Sequence, residues 1–249
     1  MGGFMKDINK IFQDYQKELS SLNQELTELP VGRLVKRGNY YWQIIDKKEF
    51  GITNNPDQIK KLGRKHYVAT RIKILNQFLK QRTNKLTVKT PTETIKSFST
   101  TYQGLPISNF YHPKVVDWLV KPFRENPYQR ENLQYQSKKG TIVRSKSEVM
   151  IANMLEDYEI PYRYEIAMKI GGQIKYPDFV IMQPFTGELI VWEHFGLANQ
   201  IEYAEKMNER MKLYLKQGYK PFENLIYTFE FDLINGEQRL RDLIENVIL

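Results

Sequence analysis

The chain has 249 residues, no cysteine, three histidines and a formal net charge of +8. The length suits one large domain or two small ones. The absence of thiols excludes disulfides, Cys-ligated zinc and iron–sulfur clusters, and three scattered histidines argue against a His-rich metal site. The opening Met1-Gly-Gly-Phe-Met-Lys6 lacks the apolar run of a signal peptide. No apolar stretch approaches the ~20 residues that span a bilayer. The expectation is a soluble, cytoplasmic (intracellular) protein with no membrane partner.

The position of the charge is more telling than its size. Residues 1–30 carry a net −2, residues 31–90 a net +12 and residues 91–249 a net −2. A cationic excess confined to one sixty-residue block favours a polyanionic partner.

Residues 6–29 read as an amphipathic helix. Ile8, Tyr15, Leu22 and Leu29 recur every seven positions, and Phe12, Leu19 and Leu26 sit four after the first three. This heptad stripe suits either a helix docked on its own domain or a two-stranded coiled coil that forms a homodimer. Pro30 ends it. Gly38-Asn39 marks a turn between short strands, Arg33–Lys36 and Tyr40–Ile45. Asn55 and Pro56 suit the cap and first position of a helix running to about Gln81. Lys60, Arg64 and Arg71 share one stripe of that helix and are candidate phosphate contacts. Tyr40, Tyr41 and Trp42, amid basic residues, suit base stacking or a small sheet's core, and at least two of the three are assigned to the core.

Residues 83–140 are polar and rich in turn formers. One short helix is expected around Val115–Leu119, and residues 91–140 are taken as a connector with little sheet. His112 finds no partner in the sequence. Beyond it the pattern sharpens. A helix is predicted from Ser145 to about Asp157, then strands Tyr162–Ile170, Gln173–Gln183 and Glu188–Phe195, with turns at Gly171-Gly172 and Pro184–Gly187. A helix from about Gln200 to Lys216 ends at Gly218. A strand, Asn224–Phe229, and a helix, Glu237–Ile248, complete an α/β (α+β) chain.

Three acidic residues fall in or beside these apolar segments. They are Glu148 in Val143-Arg-Ser-Lys-Ser-Glu148, Asp178 in Tyr176-Pro-Asp-Phe179, and Glu193 in Val191-Trp-Glu-His-Phe195. An unpaired carboxylate is costly there. A symmetric turn between Phe185 and Thr186 sets Asp178 directly opposite Glu193, with Cβ atoms about 4.5–5.5 Å apart. Two carboxylates that close repel unless a cation lies between them, and Mg²⁺ suits the gap. Ser145 and Glu148 also form a capping-box pattern, yet Glu148 shares its helix face with Ile151, Ala152 and Leu155 and so points along the sheet-facing side.

Over residues 141–230 these segments resemble the PD-(D/E)XK, restriction-endonuclease-like nuclease superfamily. Tyr176-Pro-Asp-Phe179 is similar to its PD motif, Glu193 to the acid that follows, Glu148 to the acid of the first core helix, and the element order to its αβββαβ core. The resemblance implies Mg²⁺- or Mn²⁺-dependent phosphodiester hydrolysis, of DNA more often than RNA, with Asp178, Glu193 and Glu148 around the metal. The chain departs from the pattern at Phe195, where the family has a lysine. His194, Lys206 and Arg210 are candidate substitutes, with Lys206 preferred, and Arg144, Tyr203 and Tyr214 are read first as core or surface packing and second as phosphate contacts. The domain expectation is therefore a heptad helix (1–30), a basic nucleic-acid-binding module (31–90), the connector (91–140) and a nuclease-like domain (141–249). The alternatives are a catalytically degenerate nucleic-acid-binding protein on the same core, and a subunit of a larger nucleoprotein assembly.

Overall fold

Helix α1 (Ile8–Glu28) turns its apolar stripe onto α2 (Pro56–Gln81) in the computed structural model, which describes residues 8–81, 88–196, 201–234 and 237–249. Residues 6 and 7 and the Ile8 side chain of the expected stripe lie outside that description. Phe12 stacks on Phe78 at 5.2 Å and Tyr15 meets the same ring edge-on at 5.3 Å. Further along α1, Glu18 pairs with Arg71 and Glu25 with Arg64, so the two helices run antiparallel. The heptad stripe is thus taken up by the chain's own second helix.

Between them lies an antiparallel sheet of β1 (Arg33–Arg37), β2 (Tyr40–Ile45) and β3 (Lys48–Gly51). Its second turn, Asp46-Lys47, has both φ angles positive, the twist a two-residue hairpin needs. Tyr40 is exposed, while Tyr41 and Trp42 are half-buried. Asn55 caps α2 by accepting from the Gln58 N–H at 3.0 Å. Two short helices follow, α3 (Pro91–Lys96) and α4 (Thr100–Gln103). With them come Phe98, Tyr102 and Phe110, all buried, and the His66 ring of α2 stacks on Tyr102 at 3.8 Å.

The chain divides into two units, Met1–Tyr111 and His112–Leu249. Residues 91–111 belong to the first because their aromatics bury against α2. Residues 112–140 belong to the second. His112 caps α5 (Pro113–Val120) and donates its backbone N–H to the Pro184 carbonyl at 2.7 Å. Gly187, at φ 67°, lies where a Cβ would come within 2.7 Å of the His112 ring, so the turn there admits only glycine.

The second unit continues with a small ribbon, β4 (Tyr135–Gln136) and β5 (Ile142–Val143), and then α6 (Lys146–Asp157). Both long strands of the expected meander break in two. The first becomes β6 (Tyr162–Tyr164) and β7 (Met168–Ile170), the second β8 (Gln173–Lys175) and β9 (Phe179–Met182). Glu165 at φ 43° bends one, and Pro177, with no N–H to donate, interrupts the other. The pairings keep a single register through the break, Met168 opposite Lys175 and Tyr162 opposite Ile181. After β10 (Leu189–Phe195) come α7 (Ile201–Lys216), β11 (Leu225–Phe229), the unanticipated short α8 (Glu230–Ile234) and α9 (Glu237–Leu243), which ends in a π-helical turn.

The main sheet has the order β11-β10-β9-β6, antiparallel except for the parallel β10–β11 pair. One face (Phe179, Ile181, Trp192) packs on Ile151 and Leu155 of α6 and Leu240 of α9, and the other (Val191, Leu225) packs on Tyr214 of α7. The whole is a mixed α+β fold with small sheets. No helix among the described residues is long and apolar enough to cross a membrane.

Candidate active site

The β9–β10 ladder ends with Phe179 opposite Trp192, and Asp178 and Glu193 are the next residues beyond it on the two segments. Asp178 turns a carboxylate oxygen to the His194 backbone N–H, 2.7 Å away. Glu193 has no exposed surface. Its Oε1 accepts from the Tyr214 hydroxyl and from Arg210 Nε at 3.0 Å. Its Oε2 is buried and meets no partner in hydrogen-bonding geometry among the described residues, although Asp178 lies beside the carboxylate.

The two carboxyls lie within reach of a shared proton. Loss of water around it, and then the charge on Glu193, push the Asp178 carboxyl well above the usual aspartate range, against the pull of Arg210. Burial likewise raises Glu193, opposed by Arg210 and Tyr214. The pair resists full ionisation by itself, which calls for added positive charge.

Glu148 serves two ends. In the capping box on Ser145 it receives the Ser145 and Arg144 backbone N–H groups, each at 2.8 Å, and the Tyr164 hydroxyl at 3.1 Å. It also lines the cleft that holds Asp178 and helps raise that carboxyl. Burial and the carboxylates Glu148, Glu165 and Asp178 hold the Tyr164 hydroxyl un-ionised.

His194, Lys206 and Arg210 separate into different roles. Strand alternation turns the His194 ring away from Glu193. Nδ1 lies 3.0 Å from the Thr228 hydroxyl and Nε2 lies 3.3 Å from Glu230, which also accepts from Ser147. Burial lowers the ring's pKa, and His194 meets Asp178 through its backbone N–H. Lys206 is exposed at the cleft. The cation that reaches Glu193 is Arg210, one helical turn on, which also donates to the Tyr176 carbonyl at 2.7 Å and so ties α7 to the segment before Pro177-Asp178. Phe195 is buried against Tyr203 and Phe229.

Arg64 and Arg71 require a correction. Neither is offered to a phosphate. Arg64 is buried, bonded twice to Glu25 and once to the Phe110 carbonyl, and Arg71 is buried on Glu18 and the Lys89 carbonyl. A helix stripe that looks cationic in sequence faces α1, where acids neutralise it. Lys60 is half-buried on the same helix. Arg144, expected to meet a phosphate, is bound to Glu165 at 2.7 Å and to the Tyr128 and Gln129 carbonyls, although it lines the cleft.

The cleft over these acids measures about 1050 Å³. No three His, Cys, Asp or Glu side chains among the described residues gather closely enough to enclose a metal ion. Mg²⁺ does not need such a cage. It keeps several waters and binds through one or two carboxylates, and the Asp178–Glu193 pair, which resists full ionisation by itself, is compatible with that mode.

No protein-family model and no solved structure matches the chain. An uncharacterized protein of Methanocaldococcus jannaschii, MJ1519, is 31% identical to it over 94 residues, which is 36% of this chain and 8% of that relative. The chain therefore spans less than a tenth of that protein's length.

Proposed function

We propose that the C-terminal unit is a Mg²⁺- or Mn²⁺-dependent nuclease that hydrolyses phosphodiester bonds, of DNA before RNA. The observation that carries this reading is the juxtaposition of the Asp178 and Glu193 carboxyls just beyond the paired end of β9 and β10, Asp178 lining a cleft and Glu193 buried beside it, with the Asp178 carboxyl resisting ionisation. The order α6-β6-β9-β10-α7-β11 around a sheet with one parallel pair supports the restriction-endonuclease-like reading of the core.

Asp178 and Glu193 would hold the ion, with Glu148 beside them. When bound, such an ion lowers the pKa of a water and polarises the scissile phosphate. Arg210 fixes the Glu193 carboxylate through Oε1 and adds positive charge in the place that Phe195 leaves without a lysine. The His194 backbone N–H orients Asp178, and its ring, held by Thr228 and Glu230, keeps the end of β10 in place. Lys206 is a phosphate partner at the cleft's edge.

The test is Asp178→Ala in the full chain. Cleavage of DNA with Mg²⁺ should vanish while the folded state and DNA binding persist; products at the wild-type rate from this variant refute the assignment. One observation favours a second reading, a binding protein on a degenerate core. Phe195 packs in the interior where the family pattern carries a lysine. Binding without products from wild-type protein, with either metal, selects it.

A further inference from the structure

We infer that the cleft above Asp178 accepts a single-stranded nucleic acid, with an unpaired base stacked on Tyr128 and Tyr176 and phosphates on Arg124, Lys175 and Lys206. The inference rests on the nuclease reading of that cleft and narrows it to a substrate class.

Tyr128 is 67% exposed, yet the loop that carries it is fastened. The Asn126 backbone N–H donates to the Glu165 carbonyl at 2.9 Å and its side-chain amide to the Glu165 carboxylate at 3.0 Å. The Tyr128 N–H returns to the Asn126 side chain at 3.0 Å, and Arg144 donates to the Tyr128 carbonyl at 2.8 Å. Gln129 then adopts a left-handed φ of 49°, which for a non-glycine residue carries strain. So many bonds holding a largely bare aromatic ring at a cleft make a platform, because an aromatic face in water gains most from a planar partner.

The ring of Tyr128 meets that of Tyr176 edge-on, with centroids 6.2 Å apart. Tyr176 stands two residues before Asp178 and is held there by Arg210. The aromatic pair is therefore fixed relative to the acids. Arg124, Lys175 and Lys206 line the same cleft as Glu148, Glu165, Asp178 and Glu209, and none of the three makes an ion pair among the described residues. Cations that follow a backbone beside aromatic faces are the elements of single-strand binding. A duplex keeps its bases stacked on one another and offers none of those faces. Because Glu193 is wholly covered and Asp178 lines the cleft, a phosphate that meets Asp178 there has to enter the cleft, which a flexible strand does more readily than a duplex.

The experiment measures anisotropy of a labelled oligothymidylate with the full chain, Ca²⁺ replacing Mg²⁺ to suppress cutting. It is repeated with a strand of equal length carrying abasic spacers, and with a duplex. The base-bearing strand should bind at least about fivefold more tightly than the abasic one, the lower end of what one stacked base contributes. Tyr128→Ala should erase that difference and Tyr128→Trp should keep it. Equal affinity for base-bearing and abasic strands, tighter binding of the duplex, or no binding of any strand overturns the inference. Cleavage with Mg²⁺, compared between wild type and Asp178→Ala, judges the nuclease reading separately. A strand bound through its bases but never cut sinks that reading alone, and a duplex cut without regard to Tyr128 sinks this one alone.

Discussion

Arg64→Met separates a structural from a nucleic-acid role in the basic block. Arg64 makes bonds of 2.7 and 2.8 Å to the two Glu25 oxygens and one of 2.7 Å to the Phe110 carbonyl. The side chains of the pair are 2% and 10% exposed, so water cannot replace the lost partner. Removing one member of a buried ion pair costs about 3–5 kcal/mol, chiefly through the charge left behind, whereas replacing both by apolar groups of similar volume is near neutral. Arg64→Met should therefore lower the urea-unfolding free energy of the N-terminal unit by about 3–5 kcal/mol. Adding Glu25→Met should recover most of it. The salt dependence of DNA binding should stay unchanged in the double variant, because a phosphate contact would shift the slope by about one. A stable Arg64→Met protein whose salt slope falls by one would refute the packing argument and restore the phosphate role.

The acid pair gives further expectations. Because the folded state holds the Asp178 proton to higher pH than the unfolded chain does, stability is intact in acid and declines as pH rises above the ordinary aspartate range, about 4. Asp178→Asn should thus stabilise the metal-free protein at neutral pH and lose that advantage near pH ~4; denaturant midpoints across that range check the sign, and a gain confined to acid would contradict it. Added Mg²⁺ should raise the melting temperature of wild type, by mass action, and not that of Asp178→Asn. Arg210→Ala should slow cleavage by about 100-fold or more, with Arg210→Lys intermediate because an ammonium keeps the charge but not the fork that spans Glu193 and the Tyr176 carbonyl; single-turnover rates read this, and undiminished rates in both variants remove Arg210 from the site.

Much of this architecture was written in local pattern. Pro56 and Asn55 start α2, Ser145 and Glu148 cap α6, and Gly218 closes α7, because caps and stops depend on neighbours in the chain. The register that sets Phe179 opposite Trp192 was legible for the same reason: a four-residue turn at Pro184–Gly187 fixes the register of the two strands it joins. The breaks at Glu165 and Pro177 were missed, since a strand pattern hides a single bent residue that pairing tolerates on both sides.

What the sequence could not decide was which charges meet. Arg64, Arg71 and Lys60 look alike along one helix, and only the docking of α1 showed that two of them are neutralised by Glu25 and Glu18. Lys206 and Arg210 share a stripe of α7, and only the distance from that helix to β10 selected Arg210 as the partner of Glu193. Local order determines where elements begin, end and alternate. The assignment of partners to buried charges belongs to tertiary packing, because desolvation makes an ion's environment depend on residues far away in the chain.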